Sequence, residues 1–403
     1  MYCHMHIFKT INKKKEGDKQ KMDKNFHYYA VKVIATLAGF RPDEAQIIAQ
    51  FSQFVDDFIL SQAIPINQSD VPPFAAGNKD LYDGKSFHTV KTGITIFRSM
   101  SSDEQEKVVI PFHFIPVRQL LEKKQTYTTV PANFKDNSLI DWMLNGIISQ
   151  AVWLGNPWSM TLLGIVLHIF ADTWAHQGFS GYKEDLNKGY IDEANTHIGT
   201  VSTRKNFYGY DLLSPIGHAN FGHAPDESAL SYTCHQMDSS KSYRPKPLRY
   251  NSDVFINCAK QMLCALMFAK TQGRESPNTA DYNRLETILK KGFAIDEHDN
   301  DDILAEHWKQ SCSDIGFHYN SNEIIKDIFG LSERKLPKDI SAEQAYDLLR
   351  GCGSDNNEKE QSSNNIERLS ALGAIKPTNT FYFYNRCAYD IREYIFYKPR
   401  KER

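Results

Sequence analysis

Apolar residues recur at helical spacing through most of the chain, and in one stretch they surround nearly every side of the helix. That stretch, residues 163–181, reads LGIVLHIFADTWAHQGFSG and follows a helix-starting Asn156-Pro157 pair. A helix that is apolar all round is buried in a protein core. Its apolar run from Met160 to Phe170 is too short to span a bilayer and is interrupted by Asp172. The pattern therefore predicts a buried central helix and no transmembrane segment.

Three potential metal ligands share one face of this helix: His168, Asp172 and His176, spaced i, i+4, i+8. Burying two imidazoles and a carboxylate is costly unless something pairs with them, and a divalent ion is a suitable partner. One tetrahedral ion could take His168 with Asp172, or Asp172 with His176. It would not take all three, because the outer pair is ~12 Å apart along the helix axis. The spacing therefore favours more than one ion, with Asp172 as a bridge.

Helical periodicity also predicts most of the other elements, so the fold class is expected to be mainly α. A helical pattern covers residues 26–40, with Gly39 as its stop signal. A second helix begins at Pro42 and ends near Asp57. The remaining predicted helices cover residues 138–155, 253–269, 283–291, 301–310, 322–329, 342–349 and 379–397.

Short irregular strands and loops are expected at about 85–116, where 87–97 and 107–116 are rich in β-branched and aromatic residues. A polar loop is expected over 181–215. Residues 1–22 are lysine-rich and indicate a disordered basic tail, with Met22 as an alternative start. The domain organisation predicted is a tail at 1–22, a metal-binding helical domain at 23–272 and a helical C-terminal extension at 273–403. Low-complexity residues near 351–365 indicate a mobile linker within that extension.

Further candidate ligands lie outside the central helix. Asp56 and Asp57 end the second helix, where two acids oppose the helix dipole, a penalty that a bound cation would remove. His113 lies in a proline-bounded aromatic run that would hold its imidazole rigidly. His218, His223 and Asp226 fall within nine residues among glycines and a proline, and His with carboxylate is a ligand set for zinc or similar ions. His27 occupies the first turn of the first helix.

Charge and cysteine content narrow the function classes. Lys plus Arg number 47 and Asp plus Glu 49, a net charge of −2, so no basic field points to nucleic acid. The seven cysteines are scattered with no CxxC pair, which argues against a disulfide scaffold and against thiolate-bound zinc. They favour a reducing compartment.

The central helix resembles the signature of the zinc-dependent phospholipase C superfamily, in which a buried helix carries HxxxD followed by a second His and an aromatic-Gly segment. The opening helices and the IGHA…PD segment at 216–226 are similar to an uncharacterised bacterial branch of that group. Relatives include bacterial phospholipases C and single-strand zinc nucleases, which are mainly helical with three clustered zinc ions. The resemblance covers about residues 23–269 and implies a multi-helical, phospholipase C-like bundle around the central helix.

The resemblance also implies roles for the candidate ligands. His168 and Asp172 match the positions that bind a first zinc pair, and His176 falls near the histidine that serves another zinc. Asp56 matches an aspartate that ends an early helix, with Asp57 as the alternative, and either would hold the attacking water or act as general base. His27 matches the early histidine of the superfamily and His113 the mid-chain one. His218, with Asp226 or His223, would supply the later ligands.

The activity that the resemblance implies is hydrolysis of phosphodiesters by metal-activated water. Two or three zinc ions, or other divalent metals, would be the cofactors. The substrate would be a phospholipid headgroup, with transient contact to a membrane surface, or a nucleotide. Two alternatives remain: a non-catalytic, metal-stabilised helical interaction protein, and a zinc nuclease, which would need a positive groove and stacking aromatics.

The lysine-rich start has no apolar core typical of a signal peptide, so we expect a cytoplasmic protein or one exported without a classical signal. Deleting residues 1–21 should therefore leave phosphodiesterase activity intact, because every candidate ligand lies beyond them. Turnover of the truncated and full chains on a chromogenic phosphodiester checks this, and a sharp loss would mean that the N-terminus supplies a ligand.

Overall fold

A computed structural model describes residues 24–94, 101–116, 128–134, 139–196, 199–200, 215–295, 300–351 and 356–396 of the chain. The fold is mostly helical with two small antiparallel sheets, which agrees with the mainly α prediction. The α-helices are α1 Val31–Leu37, α2 Pro42–Asp57, α3 Pro73–Ala76, α4 Ser102–Glu104, α5 Ile110–His113, α6 Leu139–Leu154, α7 Pro157–Ala175, α8 Asn251–Lys270, α9 Thr279–Gly292, α10 Asp301–Ser311, α11 Ser321–Phe329, α12 Ala342–Arg350, α13 Asn356–Ala371 and α14 Asn379–Phe396.

Two π-helical segments, Asn25–Ala30 and Gln105–Val109, lead into α1 and α5. The strands are β1 Ala63–Pro65, β2 Ser86–His88, β3 Gly189–Thr196, β4 Gly199–Thr200, β5 Ser231–Met237 and β6 Tyr243–Tyr250. β1 pairs with β2, and the larger sheet has the order β4-β3-β5-β6, with each neighbouring pair antiparallel.

The predicted central helix is α7, and it is buried along almost its whole length. The Asn156 side chain caps its first turn by accepting from the Ser159 N–H, and the Ser159 hydroxyl oxygen accepts from the Asn156 N–H. Pro157 occupies the first helical position. The helix ends at Ala175, one residue before His176. At that end the Arg249 guanidinium donates to the Ala175 carbonyl oxygen at 2.9 Å, where a cation complements the helix dipole.

Helix α2 packs directly against α7 because a glycine allows their backbones to approach. A Cβ atom on Gly164 would lie 2.6 Å from the Ile48 carbonyl oxygen and 2.9 Å from Phe51 Cβ. Helix α8 packs on α7 as well. The close contact brings the C-terminal end of α2, with Asp56, beside the polar face of α7.

One apolar core runs through both the 23–272 and the 273–403 segments. Helix α14 packs on α7, and its Tyr384 ring lies 5.0 Å from the Phe54 ring of α2. Trp308 of α10 stacks on Tyr29 with ring centroids 5.5 Å apart. The C-terminal helices therefore complete the core around the N-terminal ones. A second, smaller apolar cluster lies between β3, β5 and the segments that follow α5 and α7.

The strand prediction for residues 107–116 was wrong, since 105–113 are helical in the π-segment and α5. Val108, Val109, Ile110 and Phe112 are all buried, so packing overrides the β preference of these residue types. Pro111 lies in the first turn of α5, where proline is tolerated. Of residues 87–97, only 87–88 lie in a strand, and 95–97 fall outside the described residues.

The larger sheet was not predicted from the sequence. Residues 189–196 form β3 within the expected polar loop, and residues 201–214 of that loop lie outside the described residues. β6 carries Pro245 and Pro247 and is exposed along its length. Prolines are compatible with an edge strand, and β6 is an edge of this sheet, but in sequence they read as loop signals.

Part of the predicted mobile linker is helical, because residues 356–365 belong to α13, while 352–355 lie outside the described residues. The predicted tail at 1–22 also lies outside them. Within the described part of the chain, α7 alone has the length and composition of a membrane-crossing helix, and 89% of its apolar window is buried inside the protein. Such burial is typical of a core helix.

Replacing Gly164 with Ala should destabilise the protein by about 1–3 kcal/mol, because the new methyl group overlaps the α2 backbone. Gly146→Ala in α6 is the matched control, since a Cβ there meets nothing within 4 Å. That change should be neutral or stabilising by about 0.5–1 kcal/mol, as alanine is the better helix former. Urea denaturation measures both, and equal effects would contradict close α2–α7 contact.

Candidate metal centre

Eight of the predicted ligands meet in one buried cluster, here called the His/Asp cluster. Helix α7 supplies two members and its C-terminal cap a third, while the others come from the first π-helical segment, the end of α2, the end of α5 and the loop before β5. Every member is at most 9% exposed. The cluster consists of His27, Asp56, His113, His168, Asp172, His176, His218 and Asp226.

The first group in the cluster is His113, His168 and Asp172. The Oδ2 atom of Asp172 lies 2.9 Å from His113 Nδ1 and 3.3 Å from His168 Nε2, and the two nitrogens are 3.3 Å apart. Ligand atoms at about 2.0–2.1 Å from a tetrahedral zinc ion are about 3.3 Å from one another. The three donor atoms are therefore spaced as the edges of such a site require.

The second group is His27, Asp56 and His168. The rings of His27 and His168 stack with centroids 4.0 Å apart, and His168 Nε2 is 3.7 Å from Asp56 Oδ1. His27 Nε2 lies 3.2 Å from the Oδ1 atom of Asp172, whose other oxygen belongs to the first group. Asp172 directs one oxygen toward each of these two groups and is the residue that could bridge neighbouring ions, whereas Nε2 of His168 has one lone pair and could bind an ion in only one of them.

The third group is His176, His218 and Asp226. Asp226 places Oδ1 at 2.9 Å from His176 Nε2 and Oδ2 at 3.1 Å from His218 Nε2. Asp172 lies between this group and the first, with its Oδ2 atom 3.7 Å from His176 Nδ1. The helix spacing thus places His168 and His176 in separate groups on either side of Asp172.

Three of the histidines are held in the same way. His113 Nε2 donates to the Thr92 carbonyl oxygen at 2.9 Å, His176 Nδ1 to the His113 carbonyl oxygen at 2.7 Å, and His218 Nδ1 to the Gly222 carbonyl oxygen at 2.7 Å. Metal-binding histidines commonly donate their second N–H to a carbonyl in this way, which fixes the tautomer and ring orientation.

The other nitrogen of each of these rings faces a carboxylate oxygen. A neutral imidazole that donates to a carbonyl presents only a lone pair on its second nitrogen, and a lone pair repels a carboxylate. A cation must therefore lie between nitrogen and oxygen, either a proton on each ring or a metal ion shared among them.

Burial and charge set the protonation of the cluster. Burial, aided by the neighbouring His27, lowers the pKa of His168 to about 3, so this ring is neutral at pH 7 and available as a ligand. Burial alone would raise the pKa of Asp172, but the imidazoles of His168 and His176 outweigh it and hold that pKa well below its usual range. His218 and His176 likewise keep the pKa of Asp226 low despite its burial.

His176 differs from His168 in the direction of its shift. Burial would lower the pKa of His176, but Asp172 and Asp226 together outweigh burial and raise it. His176 therefore takes up a proton at a higher pH than His168 does.

Close backbone approaches position the ligands. A Cβ atom on Gly93 would lie 2.1 Å from the Asp56 carbonyl oxygen, so only glycine allows this segment to pack against the end of α2. The buried Asn187 side chain donates to the carbonyl oxygens of Ser180 and Pro215, tying the segment after α7 to the one that leads to His218. The Phe114 ring stacks on His176 with centroids 4.3 Å apart.

Two predicted site residues lie apart from the three groups. Asp57, the alternative to Asp56, accepts a hydrogen bond from the Tyr319 hydroxyl of the C-terminal segment. His223, the alternative to Asp226, has a half-buried side chain, and its carbonyl oxygen accepts from the Asp226 N–H at 2.9 Å. Sequence reasoning missed Thr92, whose contribution is a carbonyl oxygen and leaves no side-chain signal.

The donor set suits a borderline divalent ion. Imidazole nitrogens with carboxylate oxygens and no thiolate are ligands for zinc and similar metals, whereas calcium and magnesium prefer oxygen alone. Each group offers three donors within 4.8 Å of one another. Three protein ligands are the usual number in catalytic zinc sites, and they leave one position for another ligand.

The adjacent residues Asp56 and Asp57 at the end of α2 allow a matched test, because only Asp56 belongs to the His/Asp cluster. Asp56→Asn should remove metal from the His27–Asp56–His168 group, because an amide is a weaker ligand than a carboxylate. Asp57→Asn should retain it, since that side chain faces Tyr319. Elemental analysis of both purified variants is the measurement, and equal metal contents would refute the assignment of Asp56.

Three comparisons with known proteins complete the description of this site. No curated protein matches the chain, and no solved structure matches it. One family model, described as a family of unknown function (DUF6765), matches residues 22–398. That range contains all eight members of the His/Asp cluster and the C-terminal helices that complete the core. The chain belongs to this family of unknown function, DUF6765.

Proposed function

We propose that this protein is a zinc-dependent phosphodiesterase of the phospholipase C type. The observation that carries the proposal is the set of three buried groups of imidazole and carboxylate donors, of which the first two share His168, while Asp172 lies between the first and the third. Two or three ions are the proposed cofactors. The substrate class is a phosphodiester, either a phospholipid headgroup or a nucleotide.

The fold proposed with this function is a phospholipase C-like bundle around α7. The resemblance in residues 163–181 and the mostly helical structure support it. The ligands also come from the kinds of segment that the resemblance implies: an early helix end, a middle segment, the central helix and a later loop.

Divalent ions in such a cluster supply a nucleophilic water at neutral pH and positive charge for the phosphoryl oxygens. The chain's own residues have the supporting roles. Asp172 remains ionised and anchors both neighbouring groups, and neutral His168 offers a lone pair. Asp56 is the most exposed member of the cluster at 9%, which suits the predicted role of holding or deprotonating the attacking water.

One observation favours a second candidate, a metal-stabilised scaffold without catalysis. All eight side chains are at most 9% exposed. Structural metal sites are closed to water, whereas catalytic sites keep a position open. An interaction protein that uses the metals only for stability would bind the same ions and hydrolyse nothing.

The decisive experiment combines elemental analysis with a phosphodiesterase assay on bis(p-nitrophenyl) phosphate. The unmodified chain should contain at least one equivalent of zinc and hydrolyse the diester, while His168→Ala and Asp172→Ala should each lose metal and turnover. His235→Ala is the matched control, because this half-exposed histidine pairs with Asp192 outside the cluster. It should keep both properties.

Each outcome has one interpretation. Less than one equivalent of metal in the unmodified protein would show that protons balance the cluster and would overturn the proposal. Full metal without turnover would select the scaffold. Activity on phosphatidylcholine vesicles but not on single-stranded DNA would place the substrate among lipids, and the reverse would favour the nuclease alternative.

A further inference from the structure

The C-terminal segment reaches the His/Asp cluster through a buried hydrogen bond between Tyr384 of α14 and Thr92, whose hydroxyl oxygens are 2.7 Å apart. We propose that Tyr384 is a positioning residue of the metal centre, which it orients through Thr92. The inference rests on the proposed function only in requiring a metal centre.

Through its hydrogen bonds, Thr92 connects α14 with the end of α5 and the end of α2. Its carbonyl oxygen accepts from His113 Nε2 at 2.9 Å, which leaves Nδ1 of that ring directed at Asp172. Its hydroxyl donates to the carbonyl oxygen of Val55 at 2.8 Å, one residue before Asp56. Thr92 therefore contacts His113 of the first group and the residue that precedes Asp56 of the second group.

The direction of the Tyr384–Thr92 bond follows from counting hydrogens. A threonine hydroxyl has one hydrogen, and Thr92 gives it to the Val55 carbonyl, which can only accept. Tyr384 must then donate to Thr92 Oγ1. Without this donor, the buried hydroxyl of Thr92 would lose one of its two partners. Because an unmade buried hydrogen bond costs free energy, Thr92 would then shift from its present position.

Tyr384 is suited to hold this bond permanently. Its ring packs among Phe51, Phe54 and Phe58 with centroid distances of 5.6, 5.0 and 5.3 Å, so the side chain has one orientation. Burial raises the pKa of its hydroxyl far above the usual value, which keeps the donor protonated at every physiological pH.

The same helix offers a matched control in Tyr382. This side chain is 1% exposed, and within the described part of the chain its hydroxyl makes no hydrogen bond. Removing either hydroxyl changes a buried tyrosine to phenylalanine in α14, but only Tyr384→Phe removes a contact that leads to His113. A role limited to filling the core predicts equal effects of the two changes on metal affinity.

The test is a Co²⁺ titration of the metal-free full-length protein, followed by the visible absorption of the bound ion. Tyr384→Phe should weaken Co²⁺ binding by up to about 10-fold, because the direct hydrogen-bond partners of metal ligands change affinity by about 10–100-fold and Tyr384 lies one hydrogen bond further out. Its spectrum should also shift, because the His113 ring moves. Tyr382→Phe should bind Co²⁺ with the affinity and spectrum of the unmodified protein.

Unchanged affinity and spectrum in Tyr384→Phe would overturn the inference, as would equal changes in both variants. If Tyr384→Phe does not fold, Thr92→Ser and Thr92→Val make the comparison from the other side of the bond. Serine keeps both hydrogen bonds of the hydroxyl and should preserve affinity, whereas valine removes the bond to Val55 together with the bond from Tyr384 and should weaken it. Equal affinities of the two variants would again overturn the inference.

The inference and the proposed function can fail separately. An unmodified protein that binds no Co²⁺ would overturn both. An unmodified protein that binds Co²⁺ but hydrolyses no diester would overturn the phosphodiesterase proposal alone, because Tyr384 would still position the ligands of a structural metal centre.

Discussion

Three buried carboxylates and five buried imidazoles impose the strongest constraint on this structure. Asp172 and Asp226 are held in the ionised form, and three of the rings around them, those of His113, His176 and His218, already give one N–H to a backbone carbonyl. The nitrogen that remains faces an oxygen, so the folded chain requires cations at these positions. A metal ion shared among the groups would meet this requirement, as would a proton on each ring.

A few elements bring the imidazole and carboxylate groups of the cluster together. Helix α7 supplies His168 and Asp172 from one face, and its end supplies His176. Gly164 and Gly93 remove the side chains that would keep α2 and the Thr92 segment away. The smaller apolar cluster beneath the sheet then holds the third group, with Phe114 stacked on His176.

The C-terminal helices belong to the centre as much as the N-terminal ones. Tyr384 bonds Thr92, and Tyr319 bonds Asp57, directly after the candidate ligand Asp56. The apolar residues of the same segment complete the core around the cluster. The deep burial of the cluster distinguishes the two candidate functions physically: a scaffold is complete in this closed form, whereas catalysis requires a diester to reach at least one ion.

The sequence alone predicted the buried central helix, most other helices and a set of candidate side chains that includes the eight of the cluster. The central helix and its candidate ligands follow from local signals: a helix apolar on every side, a cap at Asn156 and a four-residue spacing of His168, Asp172 and His176. It did not determine the larger sheet, because the prolines of β6 are compatible only with an edge, and an edge exists only once the neighbouring strands are in place. The strand expected at 107–116 became helix for a related reason, since burial of Val109 and Phe112 outweighs their local preference. Only the tertiary structure shows that Asp56, and not Asp57, belongs to the cluster. Adjacent residues of a helix point about 100° apart, and which of them faces α7 depends on how the two helices pack.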